Sequence, residues 1–426
     1  MTSNIFVIET QFECADNLLR SSDARLNEAI SLTKAINLNV VGSKIIKIRQ
    51  IRPSTLLGEG SVDSMMQDLQ ATQSDVVLID CALSPIQQRN LEKIWQVKVI
   101  DRTALILEIF GERARTKEGV LQVELAHLTY QRSRLVRSWT HLERQRGGAG
   151  FLGGPGETQI EMDRRILDDK IVKLKKELEN VKKTRSLQRK SRKKVPFPIV
   201  ALVGYTNAGK STLFNYLTGS DVFAKDLLFA TLDPTMRILE LPSKRKVILS
   251  DTVGFISDLP TELVAAFRAT LEEVLEADLI LHIRDVSSSD TLAQKKDVEN
   301  VLSDLGLSEK VDLGLFEVLN KMDLLDNQTQ NALKIKNAHK KDVLCISAKN
   351  GDGIQELLQH IDDALSRNLK QYVLQLPFED GKTLSWLYSK GAVKSLQEGK
   401  KYLKLELLLS EKDCAQLAEK YILIKK

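Results

Sequence analysis

The sequence predicts an α/β fold in four parts, and three observations support this prediction. Short apolar runs alternate with helical patterns over residues 1–112 and again over residues 196–368. A glycine-rich loop at residues 204–211 joins one apolar run to a helical pattern. Residues 113–195 instead carry apolar side chains at three- and four-residue spacing, which is typical of long packed helices. The last part, residues 369–426, predicts a small α+β domain.

Composition and charge favour a soluble, cytoplasmic protein with several domains. Charged residues make up 28% of the 426 residues, and the net charge is +5. No apolar run approaches the roughly 20 residues that a membrane span needs, and the start of the chain lacks the features of a signal peptide. The 4 cysteines and 5 histidines show no paired or metal-ligand spacing, so we expect reduced thiols. We also expect a monomer without a membrane partner.

The first part predicts a mostly parallel sheet. Strand candidates lie at residues 5–8, 40–51, 76–79 and 97–100, and residues 83–95 carry a helical pattern. Gly58-Glu59-Gly60 has the pattern of a turn that leads into a helix. A phosphate site there is an alternative, but a bare Gly-x-Gly is a weak signal and a plain tight turn is favoured.

The second part predicts two long helices that pack as an antiparallel hairpin. Their apolar seams are formed by Leu121, Leu125, Leu128, Leu135, Trp139 and Leu142 in the first helix and by Ile160, Leu167, Ile171, Leu174, Leu178 and Val181 in the second. Arg132 occupies one seam position. Thr158 and Glu161 form a capping-box pattern, which predicts that the second helix starts there.

The connection between these helices and the end of the second helix both favour a polyanionic partner. The loop Gly147–Gly156 holds six glycines, with Phe151 and Leu152 at its tip. Arginines crowd the approach to it: Arg132, Arg134, Arg137, Arg144 and Arg146. The run Val181–Lys194 has eight basic residues and no acidic one. Arginines bind phosphates and an aromatic side chain can stack on an unpaired base, so we predict contact with structured RNA. A flexible linker and a solvated charged face are the alternatives.

The third part contains a phosphate-binding loop, Gly204–Ser211 (GYTNAGKS), between a strand pattern and a helix pattern. Its glycines let backbone N–H groups converge on an anion, and the helix start adds partial positive charge. Lys210 is predicted to reach the β- and γ-phosphates, and the Ser211 hydroxyl to ligate Mg²⁺.

Three further motifs follow in order, each after an apolar strand pattern. Asp251–Gly254 is predicted to bind Mg²⁺ through water and to donate the Gly254 amide to a γ-phosphate. Asn320–Asp323 is predicted to read the base, because the Asp323 carboxylate can accept two hydrogen bonds from guanine and none that match from adenine. The backbone of Ser347–Lys349 is predicted to contact the guanine O6. Together these motifs predict a GTPase.

The group that completes catalysis is not evident from the motifs. Within Phe229–Thr235 (FATLDPT), Thr231 is the candidate switch hydroxyl that closes over Mg²⁺, and Thr235 is the alternative. The residue after Gly254 is Phe255, where many GTPases have a glutamine that orients the attacking water. We therefore expect slow intrinsic hydrolysis, completed by a docking partner or by a K⁺ ion held partly by Asn207. Asn207 as a simple loop spacer is equally consistent with the sequence.

The last part shows no chemistry and predicts a packing or interaction domain. Strand candidates lie at residues 372–376, 402–409 and 421–425, and helix candidates at 384–397 and 412–420.

These motifs together resemble the Obg–HflX group of TRAFAC-class P-loop GTPases. Residues 147–161 (GGAGFLGGPGETQIE), followed by Met162–Arg165, and residues 229–235 are similar to the HflX family specifically. The resemblance covers residues 75–365 strongly and both ends weakly. It implies a GTPase that binds the large (50S) ribosomal subunit, places its glycine-rich hairpin tip near the peptidyl transferase centre, and splits stalled or idle ribosomes. A C-terminal domain like this one also occurs in the family.

The sequence therefore predicts a GTP-hydrolysing, Mg²⁺-dependent factor that binds the large ribosomal subunit and its rRNA, with a role in ribosome splitting, recycling or subunit biogenesis. The alternatives are an ATP-dependent RNA remodeller acting through the N-terminal domain and a signalling GTPase that docks a protein partner through the hairpin.

The predicted catalytic residues are Lys210, Thr231 and Gly254, and the predicted metal ligands are Ser211 and Thr231. The predicted nucleotide-binding residues are Gly204, Tyr205, Thr206, Asn207, Ala208, Gly209, Lys210, Ser211, Phe229, Ala230, Thr231, Leu232, Asp233, Asp251, Thr252, Val253, Gly254, Asn320, Lys321, Met322, Asp323, Ser347, Ala348 and Lys349.

Overall fold

The computed structural model of the chain describes most of its residues: 3–12, 20–145, 155–192, 197–220, 229, 235–257, 273–312, 315–366, 369–389, 392–399, 401–409, 411–418 and 420–425. In residues 136–145, 155–160, 182, 185–192, 389, 411–413, 416 and 425 it describes the backbone alone. Across these ranges the strands form three sheets of four, six and four strands. Helices and sheets are mixed, as the α/β prediction requires.

The first sheet is parallel and has the strand order β2-β1-β3-β4. Its strands are β1 (Asn4–Phe12), β2 (Asn39–Ile48), β3 (Val76–Ile79) and β4 (Lys98–Asp101). The helices are α1 (Ser22–Lys34), α2 (Glu59–Thr72), α3 (Pro85–Trp95) and α4 (Arg102–Arg113). The inner strands β1 and β3 are apolar on both faces because helices cover a parallel sheet on both sides. Gly58 precedes α2 as its N-cap, which agrees with the predicted turn into a helix.

Side chains that satisfy free N–H groups mark where these helices begin. The Ser21 side chain accepts a hydrogen bond from the Ala24 amide at 3.1 Å, at the start of α1. Ser84 and Gln87 form a complete capping box at the start of α3, with Pro85 at the first helical position. These local signals fix the direction in which each helix leaves the sheet.

The hairpin consists of α5 (Lys117–Gln145) and α6 (Pro155–Arg192). Leu121, near the start of α5, packs against Leu174 and Leu178 of α6, whereas Arg132, further along α5, meets Asp168, earlier in α6; the two helices are therefore antiparallel. The seam position Arg132 pairs with Asp168 across the hairpin at 3.1 Å. The predicted start of the second helix at Thr158 is wrong, because α6 begins at Pro155, and proline favours the first turn of a helix.

The second sheet has the order β10-β9-β8-β5-β7-β6 and is parallel except for β6. Its strands are β5 (Ile199–Gly204), β6 (Thr235–Glu240), β7 (Lys246–Asp251), β8 (Leu279–Asp285), β9 (Phe316–Asn320) and β10 (Val343–Cys345). The helices are α7 (Lys210–Thr218), α8 (Thr291–Leu302), a π-helical turn (Ser303–Leu307), α9 (Ser308–Asp312), a 3₁₀ turn (Met322–Leu324), α10 (Asn327–Asn337) and α11 (Ile354–Ser366). The predicted motifs all lie at the carboxyl ends of its parallel strands.

The third sheet is antiparallel, with the order β12-β13-β11-β14. Along the chain it reads β11 (Lys370–Pro377), α12 (Gly381–Ser389), β12 (Val393–Glu398), β13 (Tyr402–Leu409), α13 (Glu411–Ala418) and β14 (Leu423–Lys425). This β-α-β-β-α-β order is that of a ferredoxin-like domain. The predicted helix over residues 384–397 is wrong in its second half, because Val393–Glu398 pairs with β13 and buries Leu396 against that domain's core.

The first sheet's domain and the second sheet's domain share one hydrophobic core. It contains α4 residues such as Ile106 and Phe110 together with Val253 and Phe255 from the segment after β7. The rings of Phe110 and Phe229 meet edge to face, with centroids 4.6 Å apart. The segments beside the phosphate-binding loop are therefore packed directly against the N-terminal domain.

Candidate GTP-binding site

The predicted phosphate-binding loop connects β5 to α7. Asn207 and Gly209 both have left-handed backbone conformations, with φ of 58° and 93°. A Cβ atom at position 209 would lie 2.2 Å from the Asn320 Nδ2 atom, so only glycine fits there. The loop thus makes a tight turn directly before the start of α7, where an anion is favoured.

Lys210 lies under this loop. Its ammonium group donates to the carbonyl oxygens of Gly204 at 3.0 Å and of Tyr205 at 2.8 Å. Burial lowers the pKa of Lys210 to about 8, although the nearby Asp251 carboxylate opposes this shift. The Lys210 ammonium group therefore lies beside the loop, and a bound phosphate would stabilise its charged form.

The hydroxyl of Ser211 and the carboxylate of Asp251 are brought together by adjacent parallel strands. Leu202 on β5 lies opposite Asp251 on β7, and the Ser211 Oγ atom is 2.7 Å from the Asp251 Oδ2 atom. The Thr252 hydroxyl donates to the Leu202 carbonyl at 2.6 Å and fixes the end of β7. A hydroxyl and a carboxylate are oxygen donors of the kind that Mg²⁺ prefers.

Gly254 and Phe255 pass directly beside the loop. The Phe255 amide donates to the Gly204 carbonyl at 3.1 Å, and the Thr206 amide donates to the Phe255 carbonyl at 2.7 Å. A Cβ atom on Gly254 would lie 2.8 Å from the Thr206 Cγ2 atom and 3.1 Å from the Lys210 Nζ atom. The Gly254 backbone therefore lies directly beside the phosphate-binding loop and the Lys210 ammonium group. The Phe255 ring is buried in the shared core.

Asn320 connects the motifs that are predicted to read the base to the phosphate-binding loop. Its Nδ2 atom donates to the Ala208 carbonyl at 2.9 Å, and its Oδ1 atom accepts from the Ala348 amide at 2.9 Å. The Ser347 hydroxyl donates to the Asp323 carboxylate at 2.6 Å. These bonds place the Asp323 carboxylate and the Ser347–Ala348 backbone at one point of the sheet edge.

The neighbouring motif residues complete this part of the site. Lys321 pairs with Asp285 at 2.8 Å, and the Met322 amide donates to the Ile346 carbonyl at 3.2 Å. Lys349 is exposed at the surface.

Several predicted site residues lie elsewhere or outside the described residues. Phe229 is buried against Phe110 in the shared core, and Thr235 begins β6. The candidates Ala230, Thr231, Leu232 and Asp233 lie outside the described residues, so their roles remain predictions.

A buried polar cluster behind Tyr205 was missed by sequence reasoning. Its side chains come from both domains and carry no shared motif: Glu28 lies 177 positions from Tyr205 and 229 positions from Ser257. No local pattern in the sequence could have indicated it.

The predicted RNA-binding surface is described only in part. Arg134 pairs with Asp101 and lies over the Tyr130 ring at 4.4 Å, so it stabilises the base of the hairpin. The tip residues 147–154 and the residues Lys193 and Lys194 lie outside the described part, whereas α6 extends as a helix to Arg192. Among the helices that the structure describes, none is long and apolar enough to cross a membrane.

Comparison with family models divides the chain into four matched regions. Residues 23–111 match "GTP-binding GTPase N-terminal", and residues 113–192 match "GTP-binding GTPase Middle Region". Residues 199–321 match "50S ribosome-binding GTPase", and residues 332–426 match "HflX C-terminal domain".

Whole-chain comparison finds relatives over most of the sequence. "GTPase HflX" of Magnetococcus marinus is 47% identical over 380 residues, covering 89% of this chain and 87% of the relative. "GTPase HflX" of Escherichia coli is 46% identical over 341 residues, covering 80% and 79%. A solved GTP-binding protein from Sulfolobus solfataricus, in complex with GDP, is 24% identical with a TM-score of 0.43, covering 86% of this chain and 99% of that one.

The family models, the level of identity and the span of the matches agree with the motifs and their geometry. The chain therefore belongs to the HflX family of GTPases.

Proposed function

We propose that this GTPase acts on the ribosome, binding the large subunit and its rRNA and using GTP hydrolysis to control release. The observation that carries the proposal is the hairpin, in which two antiparallel helices end in a glycine-rich connection and a strongly basic run. A basic run beside an aromatic-bearing loop suits phosphates and unpaired bases. The match of residues 199–321 to a 50S ribosome-binding GTPase supports the same partner.

The site residues have distinct roles in the proposed reaction. Lys210 and the loop N–H groups neutralise the β- and γ-phosphates, and the Gly254 amide donates to the γ-phosphate. Thr231 closes over the nucleotide. Ser211 and Thr231 would ligate Mg²⁺ and Asp251 would hold it through water, and the ion would supply charge neutralisation. Asp323 selects guanine because its carboxylate accepts from two N–H donors that adenine does not offer.

The environment of Phe255 supports a dependence on a partner. Its side chain is 2% exposed and packs in the core shared with the N-terminal domain, so it offers no hydrogen bond to an attacking water. We propose that contact with the large subunit supplies the missing group. Asn207, which is exposed at the loop with a left-handed backbone, suits the alternative in which a K⁺ ion contributes.

The proposed cycle begins with GTP ordering the segments around Thr231 and Gly254 and docking the hairpin on the large subunit. Hydrolysis then removes the γ-phosphate contacts and releases the protein. Splitting or recycling of stalled and idle ribosomes, or assistance in subunit biogenesis, are the outcomes that this cycle would serve.

Binding of purified large subunits to charge variants tests the partner. Substitution of Lys182, Lys183, Lys190 and Lys193 by glutamine should weaken binding at least about tenfold, because each lysine that no longer neutralises a phosphate lowers the electrostatic affinity. The matched control replaces four exposed lysines of the GTPase domain, Lys334, Lys336, Lys340 and Lys341, by glutamine. It makes the same change in net charge and should bind normally. Docking through the hairpin would be contradicted if both variants bound large subunits normally, or if both lost the same amount of affinity.

A further inference from the structure

A buried polar cluster connects the N-terminal domain to the phosphate-binding loop. It consists of Arg20 and Glu28 from the α1 region, Arg102 at the start of α4, Tyr205 in the loop, and Ser257 after β7. We call it the interdomain cluster. The Glu28 side chain forms charged contacts with both arginines. Arg102 is anchored in turn by Asp80, at 2.6 Å, and Arg20 pairs with Asp297.

The Tyr205 hydroxyl is at the centre of this cluster. It donates to the Glu28 Oε2 atom at 2.7 Å and accepts from the Ser257 amide, also at 2.7 Å. Arg20 Nη1 donates to the same oxygen at 3.2 Å. Only 5% of the Tyr205 surface is exposed, so no water replaces these bonds if the hydroxyl is removed without rearrangement.

The charges in the cluster fix the direction of these bonds. Burial raises the pKa of Glu28, but Arg102 and Arg20 outweigh it, and the net effect lowers that pKa. Burial and the Glu28 charge both raise the pKa of Tyr205. At neutral pH, Glu28 is therefore an acceptor and Tyr205 keeps its proton, so the Ser257 amide has a fixed partner.

Ser257 is held through each of its polar groups. Its amide bonds to Tyr205, and Arg102 donates to its carbonyl oxygen at 3.1 Å and to its hydroxyl oxygen at 2.8 Å. The hydroxyl donates to the Glu28 Oε1 atom at 3.0 Å. The segment that starts at Asp251 is thus anchored at its far end by the N-terminal domain.

We propose that Tyr205 is a positioning residue for GTP hydrolysis, which fixes the Gly254 amide by holding the backbone of Ser257. Gly254 lies three residues before Ser257 and directly against Thr206 and Lys210. Phe255, between them, forms hydrogen bonds to the loop through both its amide and its carbonyl group. A donor to a developing charge is effective only if its position is set beforehand, so a loose anchor at Ser257 weakens transition-state stabilisation.

This role predicts an effect on the rate rather than on nucleotide binding. Of the proposed contacts to the phosphates, those of Lys210 and the loop amides do not involve the Tyr205 hydroxyl, so loosening the Gly254 amide alone leaves most of the ground-state binding in place. Tyr205→Phe keeps the aromatic ring in the shared core and removes the hydroxyl alone. Interactions that matter only in the transition state change kcat and leave affinity unchanged.

The test measures single-turnover GTP hydrolysis and equilibrium GTP affinity of the full chain, without ribosomes. For Tyr205→Phe we expect kcat to fall about tenfold and affinity to stay within about twofold. Amide exchange at Ser257 should also become faster. Tyr130→Phe is the matched control, because it removes a hydroxyl that donates to Asp101 at 2.7 Å in the N-terminal domain. Tyr130→Phe should leave both kcat and GTP affinity unchanged.

A second variant distinguishes positioning from simple loss of folding. Glu28→Gln keeps an acceptor for the Tyr205 hydroxyl but removes the charge that faces Arg20 and Arg102, so melting temperature is measured beside the rate, which should fall less than in Tyr205→Phe. The double variant should lose less than the sum of the two single losses, because both act on Ser257 and share the bond between Glu28 and Tyr205. Three results would overturn the proposal. The first is an unchanged or higher kcat in Tyr205→Phe, and the second is a loss of rate and of affinity that is accompanied by a lower melting temperature. The third is a double variant whose rate loss equals the sum of the two single losses.

Discussion

The Asp323 carboxylate is oriented by one short hydrogen bond from the Ser347 hydroxyl, at 2.6 Å. Asp323→Asn preserves the shape but turns one acceptor into a donor, which faces the guanine N–H groups unfavourably. We expect GTP affinity to fall about 10- to 100-fold and xanthosine triphosphate to bind better than GTP. Competition binding with the two nucleotides measures this. Asp363→Asn, the same change at an exposed position of α11, is the control; retained GTP preference in Asp323→Asn would remove the proposed base contact.

Lys210 should take up a proton when a nucleotide binds at alkaline pH. Its pKa is lowered to about 8 by burial, so the side chain is mostly neutral at about pH 8.5 in the free protein. A bound phosphate favours the charged form and raises the pKa, and uptake therefore increases between about pH 7 and about pH 8.5. GDP affinity should correspondingly decline as the pH rises through about 8.

Calorimetry in buffers of different ionisation enthalpy measures this uptake directly. At about pH 8.5 the uptake should reach about three-quarters of a proton per GDP in the native protein, because a pKa of about 8 leaves that share of the side chains neutral. Lys210→Arg keeps its charge at this pH and should show almost none. Equal uptake in both proteins would mean that another group titrates.

At the scale of elements, α4 supports the segments beside the nucleotide site. Phe110 of α4 meets Phe229 edge to face and lies in the same core as Phe255. Phe110→Ala should lower the free energy of unfolding by about 3 kcal/mol and also loosen residues 253–257. Unfolding by denaturant and amide exchange report the two effects separately.

Phe6→Ala provides the comparison for this change. Phe6 is buried in the other core of the N-terminal domain, and the described residues that form this core all belong to that domain. Phe6→Ala should lower the free energy of unfolding by a similar amount but leave amide exchange at residues 253–257 unaltered. The same exchange increase in both variants would show that general destabilisation, and not the shared core, is responsible.

Elements with strong local signals were predictable from the sequence. Parallel strands of the first and second sheets were found because apolar runs bounded by turns recur between helical patterns, and the phosphate-binding loop has its own chemistry. The helix over residues 384–397 was wrong because a helical apolar pattern and a half-buried strand overlap in short segments, and pairing with β13 decided the outcome. The start at Thr158 was wrong because Pro155 also favours a helix start.

Contacts between distant segments could not be predicted in this way. Glu28 meets Tyr205 across 177 positions and Ser257 across 229. Neither contact follows from spacing, because a buried polar cluster depends on how two complete domains pack. Phe255 is the instructive case: the sequence indicates that a water-orienting group is missing there, and the structure shows that the ring belongs to the interdomain core.

At the scale of the whole molecule, the nucleotide site and the hairpin are connected through the N-terminal domain. Helix α4 contacts the base of the hairpin, where the Tyr130 and Arg134 side chains both reach Asp101. The same helix begins with Arg102, which holds Ser257. The base of the hairpin and the segment that contains Gly254 therefore both contact residues at the start of α4.

The GTPase rate with and without purified large ribosomal subunits, in K⁺ and in Na⁺ buffers, tests whether the ribosome completes the catalytic site. We expect slow hydrolysis by the protein alone and a stimulation of more than about tenfold by large subunits in both buffers, since the ribosome supplies the group absent at Phe255. Stimulation by K⁺ alone would assign that group to a cation instead. A rate that large subunits leave unchanged in both buffers would contradict the account.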